Sequence, residues 1–412
     1  MNLQIDQTLL QSEIDELALV TEAEPPVVTR IVFSEADLRA RSWFAERCRE
    51  ARLSLRTDAV GDTFARWSGS DQSAPAVGTG SHIDAIPNAG RFDGVVGVLG
   101  GLEAIRALQR AGFQPKNSIE LLLFTSEEPT RFGIGCLGSR LLAGTLPLDA
   151  AHKLVDSNGE TLDSVRARAG FSGPLESVRL AGSYYRAFVE LHIEQGPILE
   201  REGISIGIVQ SIAAPASYRF QLEGSGGHAG GVLMPDRKDA LCAASELILA
   251  IEDAARSSGS TDTVATVGIC DVFPGAVNSV PSRVRLTLDI RDTDQSRRDA
   301  AMQHISRAAQ SIEQKRQVRV TSETVNADAP ATCAPFVCEA MATACRKHNT
   351  KFLPMVSRAY HDSLFVSRVA PTAMLFIPSR NGYSHRPDEY SSPEHIALGA
   401  LVLAETLATL AS

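Results

Sequence analysis

Five short runs hold acids and histidines in patterns that suit a pair of divalent metal ions: GSHID at Gly80–Asp84, RFDG at Arg91–Gly94, SEEP at Ser126–Pro129, ELHIEQGP at Glu190–Pro197 and GYSH at Gly382–His385. Between them they can supply His82, Asp93, Glu128, His192 and His385 as ligands. Two ions held a few ångströms apart need about three ligands each and are best joined by a carboxylate that both share, so these five side chains, with Asp93 shared, meet the requirement. Glu127, next to Glu128, remains free to act as a base. A nitrogen and oxygen donor set without sulfur suits Zn²⁺, Mn²⁺, Co²⁺ or Ni²⁺ better than a soft metal.

Taken singly, each run has a plain reading. His82 and Asp84 could be a loop histidine and a turn acid, and RFDG could be a surface turn, since Asp-Gly is a common turn dipeptide. Glu127 and Glu128 could be a solvated pair, although adjacent carboxylates straight after a buried strand repel each other unless a cation compensates them. His228 in GGHAGG could be an ordinary Gly-rich loop residue, and Arg291 in DIRD could simply pair with Asp289 or Asp292. His361 in YHDS reads equally as a core histidine or as a residue behind the ligands. Cys136 follows the acidic pair by a short loop, but no base motif beside it supports a nucleophile. His152, His304, His348 and His395 lie outside any motif and read as surface or helix-face residues.

The elements that must position these groups follow from periodicity. Leu9, Leu10, Ile14, Leu17 and Leu19 form a helical stripe in an opening segment that reads as helical to about Arg52. LSLRTDAVGDTFARWSG then alternates as a hairpin does. AVGTGSHIDAI is a buried strand that runs into His82, and the helix 95–111 follows it. The strand 119–124 leads into the acidic pair, and YRAFVELHIEQGP has strand character up to His192. In open α/β sheets functional groups collect at the carboxyl ends of strands, where all three runs fall. From 213 to 326 the order becomes strand, helix (237–257), strands, helix (296–315), strand, which predicts an inserted α+β sandwich. The first domain, 1–212, then resumes over 327–412 with helices at 335–348 and 393–410 around a strand at 372–377. The fold class is thus α/β, a mixed sheet flanked by helices, with a second, smaller domain inserted.

At 412 residues the chain suits two domains, and 44% hydrophobic content is ordinary for a globular protein. A net charge of −9 argues against nucleic acid as a partner. Seven cysteines without a CxxC pair read as reduced thiols. The amino terminus has no basic start and no uninterrupted apolar run, so no signal peptide is expected, and no stretch is apolar enough for a membrane span. A cytoplasmic enzyme is the expectation.

The five runs together resemble the M20 family of dinuclear metallopeptidases and amidohydrolases over nearly the whole chain, from about Ser81 to Tyr390. The general family has a carboxylate where this chain has His192, and the histidine in HIEQGP is similar to the branch acting on carbamoyl and ureido substrates. Within that branch the runs Ser126–Gly144, Gly226–Pro235, Ser357–Phe365 and Gly382–Glu394 look most like members acting on ureidoglycolate; GVLM at Gly231–Met234 and RAY at Arg358–Tyr360 depart from those acting on allantoate or N-carbamoyl-L-amino acids. The resemblance implies a zinc-peptidase-like catalytic domain and two divalent ions, Mn²⁺ first, with Zn²⁺, Co²⁺ or Ni²⁺ as alternatives. It assigns Glu128 as the ligand and Glu127 as the general base of its pair. It puts Asp84 behind His82, where a carboxylate fixes the imidazole tautomer. It makes His228 a donor to the developing oxyanion, Arg291 the partner of a substrate carboxylate, and Gln195, Asn278, Tyr360 and His361 polar lining of the pocket. The expected partners are a small carboxylated ureide and a second copy of the chain, joined through the inserted domain. The expected reaction is hydrolysis of a ureido C–N bond. Hydrolysis of allantoate or of an N-carbamoyl-L-amino acid is the same-class alternative, and a dipeptidase and a non-catalytic ureide-binding scaffold are the other readings it competes with.

Overall fold

The computed structural model describes residues 2–412, which divide into two compact units, one formed by 2–211 with 333–412 and the other by Ile212–Thr332. The sequence reading ended the inserted segment at 326. The last long strand of that unit runs to Ala327, and the buried Arg298 donates to the carbonyls of Ala214 and Asp328, which ties the following residues to the same unit.

The first unit is built on a mixed sheet. Thr372–Ile377, Tyr185–Ile193, Ala76–Ser81 and Ile119–Leu123 run parallel, in that order, through its centre. Thr63–Trp67 and Ser54–Thr57 extend it as an antiparallel hairpin on one side, and Ile206–Ile212 pairs antiparallel with Thr372–Ile377 on the other. Ala76–Ser81, Ile119–Leu123 and Thr372–Ile377 are buried at every position, as strands covered on both faces must be. The covering helices include Val95–Arg110 and Pro393–Leu410. The latter starts where expected: Ser392 accepts from the amide of His395, and Pro393, which has no amide hydrogen to satisfy, takes the first turn. Because the central strands are parallel, the loops after Ser81 and Leu123 and the end of Tyr185–Ile193 open on one edge.

The opening segment departs from expectation. Its helix spans Gln7–Ala18 and buries Leu10, Ile14 and Leu17, whereas Leu9 and Leu19 are exposed. A short strand, Val28–Arg30, pairs with Ala85–Ala89 before the second helix, Glu35–Glu50. The buried Arg30 accounts for this break, since its guanidinium donates to the carbonyls of Leu17, Val20 and Ile83. No helix among the described residues is long and apolar enough to cross a membrane.

The second unit is a four-stranded antiparallel sheet in the order Val264–Phe273, Arg283–Asp292, Ala214–Glu223, Arg319–Ala327. The helices Ala240–Arg256 and Gln295–Arg316 belong to the same core: Leu247, Ile251 and Ile305 cluster with Phe220, Leu222, Leu286 and Leu288. The first helix begins three residues later than the sequence reading placed it. Lys238 bridges to Ser225 in extended conformation, and Asp239 caps the amides of Leu241 and Cys242.

Candidate functional site

His82 directly follows the strand Ala76–Ser81, and its Nδ1 lies 2.9 Å from the carbonyl oxygen of Asp84. His192 sits one residue before the end of Tyr185–Ile193, with Nδ1 2.9 Å from the carbonyl oxygen of Ile193. Each contact makes Nδ1 a donor and turns Nε2 toward the same point. Asp93 faces that point: its Oδ1 is 3.2 Å from His192 Nε2 and 3.7 Å from His82 Nε2. Its other oxygen, Oδ2, is 3.2 Å from His385 Nε2, which is also 3.2 Å from Glu128 Oε1. Two groups that could each hold a metal ion therefore share one carboxylate: His82, Asp93 and His192 on one side, and Asp93, Glu128 and His385 on the other.

The backbone is shaped to allow this. Gly94 has φ +67°, and a Cβ there would lie 2.5 Å from the Nε2 and Cδ2 atoms of His82, while its amide lies 3.3 Å from His192 Nε2. Gly94→Ala is therefore expected to lower the stability of the metal-free chain by about 1–2 kcal/mol or more through the left-handed backbone alone. It should also push His82 out of place, and thermal unfolding with a metal titration checks both effects.

Glu127 is buried beside the ligand candidates, with Oε2 3.7 Å from His82 Nε2 and Oε1 3.5 Å from the Sγ of Cys136. Burial pushes its carboxyl well above the ordinary range, and Glu128, Asp362 and Asp93 add to the shift. Cys136 is pushed upward too, by burial and by Glu127, and its thiol donates to Glu127.

The Asp84 carboxylate lies 3.7 Å from His82 Nδ1 and accepts from the amides of Glu127, at 3.2 Å, and Glu128, at 3.1 Å. The His82 tautomer is set by the Asp84 backbone carbonyl, while the side chain holds the acidic pair in place. Burial raises Asp84 to about 6.

Ser384, Glu389 and Glu190, which the sequence did not single out, join residues that it did. Ser384 donates to Asp93 Oδ2 at 2.7 Å and lies 2.9 Å from Glu389 Oε2. Glu389 Oε1 accepts from the amides of Phe92 and Asp93, at 2.9 and 3.1 Å. Gln195 donates to Asp93 Oδ2 at 2.7 Å, so this residue, expected in the pocket lining, contacts the shared acid itself. Glu190 accepts from Ser81 and from the amide of Ser363, and His361 Nε2 lies 2.9 Å from Ser357 Oγ. Glu190, His192 and His361 could form a third ligand group, but both oxygens of Glu190 are already engaged, which makes it a hydrogen-bonded core. Burial and the neighbouring His192 hold His361 well below its usual range, hence neutral. Tyr360 is half-buried, its hydroxyl accepting from Arg140 at 3.2 Å.

His228, Asn278 and Arg291 belong to the second unit. Gly227–His228 pairs with Ser279–Val280, and the Asn278 carbonyl accepts from Ala229, so His228 and Asn278 are neighbours there. His228 is exposed and accepts the amide of Gly230 at Nδ1, which leaves Nε2 as the donor. Arg291 donates from Nε to Asp289 at 2.8 Å.

The donor set fits a divalent pair. Carboxylates gather from Asp93, Glu127 and Glu128, with Asp84 and Glu389 behind them. Hydrogen bonds to Asp93 and Glu128 drive His385 up to about 11, and Glu127, Asp93 and Asp84 outweigh burial to raise His82 well above its usual value.

The chain is 50% identical over 416 residues to a ureidoglycolate hydrolase of Arabidopsis thaliana, covering 99% of this chain and 87% of that protein. It is 37% identical to an N-carbamoyl-L-amino acid amidohydrolase of Geobacillus stearothermophilus over 98% of both chains. Among solved structures it matches the crystal structure of AtUAH in complex with glyoxylate with TM-score 0.88 and 50% identity, covering 99% of this chain and 98% of that one. Residues 78–409 match the profile of peptidase family M20/M25/M40, an interval that takes in all five acid and histidine runs. A hydrolase with that profile over most of its length, and with those runs gathered around one shared aspartate, belongs to peptidase family M20/M25/M40.

Proposed function

We propose that the chain hydrolyses the ureido C–N bond of a small carboxylated ureide, with ureidoglycolate as the first substrate and glyoxylate, ammonia and carbon dioxide as products. The observation that carries this reading is Asp93, whose two oxygens face two separate sets of imidazole and carboxylate donors while Glu127 lies alongside. Its likeness to the Arabidopsis ureidoglycolate hydrolase supports the choice of substrate.

In this reading His82, Asp93 and His192 hold one ion and Asp93, Glu128 and His385 the other, Mn²⁺ first. When bound, the ions supply Lewis acidity at the ureido carbonyl and acidify water. Glu127 takes a proton from the attacking water and returns it to the leaving nitrogen, a task that suits a carboxyl raised by burial. Cys136 orients the carboxylate of Glu127, and Asp84 holds the backbone of the acidic pair. His228 donates from Nε2 to the developing oxyanion, and Asn278 and Tyr360 line the pocket.

Arg291 binds the substrate carboxylate in this scheme. Arg291→Ala is expected to raise KM for ureidoglycolate by about 10–100-fold, the worth of a charge-assisted hydrogen bond, with little change in kcat. Steady-state kinetics on the folded variant checks this, and an unchanged KM removes Arg291 from the role.

The second unit serves as the contact with a second copy of the chain, giving a homodimer. Its edge strand Val264–Phe273 leaves Ile269 and Phe273 exposed, which supports that role. Seven cysteines without a CxxC pair support a reducing compartment such as the cytoplasm.

Ammonia release from ureidoglycolate, allantoate, an N-carbamoyl-L-amino acid and a dipeptide tests the substrate. Ureidoglycolate is expected to turn over fastest; preference for another ureide keeps the mechanism and replaces the substrate, and activity on the dipeptide alone overturns both.

A further inference from the structure

We infer that Glu389 is a positioning residue that clamps the His385 loop to the Asp93 loop and thereby sets the metal affinity of the Asp93, Glu128 and His385 side. The inference rests on the reading of this site as a metal centre.

His385 cannot hold its own position. Its side chain is 46% exposed and its backbone has φ +58°, a conformation that persists in a non-glycine residue only where neighbours impose it. The loop is closed at its base by the amide of Arg380 donating to the Tyr390 carbonyl, its first turn is pinned by the amide of Asn381 donating to Glu200, and near its tip Ser384 meets Asp93 and Gln195. Glu389 adds the restraint that reaches both loops at once. It is the buried acid of an otherwise exposed stretch, and its two oxygens divide their work. Oε1 accepts from the amides of Phe92 and Asp93, and Oε2 meets Ser384, the residue just before His385, whose hydroxyl also donates to Asp93. One carboxylate thus holds the backbone of one ligand and, through a serine, the neighbour of another.

The opposing loop is built to receive it. A Cβ at Gly90 would lie 2.5 Å from the Cβ of Glu389, so only glycine lets the two segments meet this closely. Phe92 and Tyr390 close the flank with an edge-to-face contact of 5.9 Å. Partners that orient metal ligands from behind are worth about 10–100-fold in metal affinity.

The test compares the full-length chain with Glu389→Ala, Glu389→Gln, His385→Ala and the double variant Glu389→Ala/His385→Ala. Divalent-metal titration is read together with amide hydrogen exchange on the metal-free proteins. Glu389→Ala is expected to weaken one of two binding steps by about 10–100-fold. Glutamine, which keeps an acceptor for the two amides, should recover most of that loss. In the His385→Ala background, removing Glu389 should cost little further affinity, because the two residues act through one another. Exchange at Phe92, Asp93 and the 380–390 loop should quicken in Glu389→Ala while the sheet stays protected. Wild-type affinity and exchange in Glu389→Ala overturn the inference alone, as does an equal loss with and without His385, which marks a role confined to general stability. A wild-type chain that binds no divalent metal overturns the inference and the metal reading together.

Discussion

Replacing Glu127 by glutamine is expected to leave the metal content of the protein unchanged and to lower kcat by about 10²–10⁴-fold, the usual worth of a positioned general base. The substitution keeps the size of the side chain and the Cys136 contact but removes the group that accepts a proton. The neighbouring Glu128 cannot take over, because its oxygen is turned toward His385. Metal analysis of the purified variant, set beside its kcat on ureidoglycolate, checks the prediction. A fall in metal content to match the fall in rate would make Glu127 a ligand instead, and an unchanged rate would remove it from catalysis.

Asp93→Ala should act on both ions at once. Each of its oxygens faces a different set of donors, and Ser384 and Gln195 converge on Oδ2, so no neighbour is placed to replace it. Loss of several kcal/mol of charge stabilisation corresponds to about 10³-fold or more in rate. The variant is therefore expected to bind neither ion at concentrations that saturate the wild type, whereas His385→Ala should spare the ion on the His82 and His192 side. Calorimetric titration distinguishes these outcomes. Tight binding of one ion by Asp93→Ala would mean that the two sides do not depend on a shared carboxylate.

Much of this site is legible in the sequence because its parts lie at the ends of strands whose burial leaves a local pattern. The apolar run Leu121–Phe124 shortly before Glu127 and the buried strand before His82 announce where each loop must emerge. The inserted unit is equally readable, since Arg283–Asp292 alternates cleanly with every second residue buried. What stays hidden is support of one loop by another. Glu389 and Asp93 are 296 residues apart and are joined by hydrogen bonds that no periodicity records. The Asp84 carboxylate could be placed behind His82 by resemblance, yet a carboxylate beside a histidine and one facing two backbone amides have the same sequence. The opening stripe fails for a related reason. Leu9 and Leu19 share the helical spacing of Leu10, Ile14 and Leu17, but only the latter three are buried.

The central claim is a shared-carboxylate pair of divalent ions acting on a ureide, and its most direct test is stoichiometry against turnover. Metal-stripped protein is titrated with Mn²⁺ while bound metal and ammonia release from ureidoglycolate are followed in the same samples. Turnover absent from the stripped protein and rising to a plateau at two ions per chain is the predicted result. Full turnover in the stripped protein, or a plateau at a single ion, would contradict it.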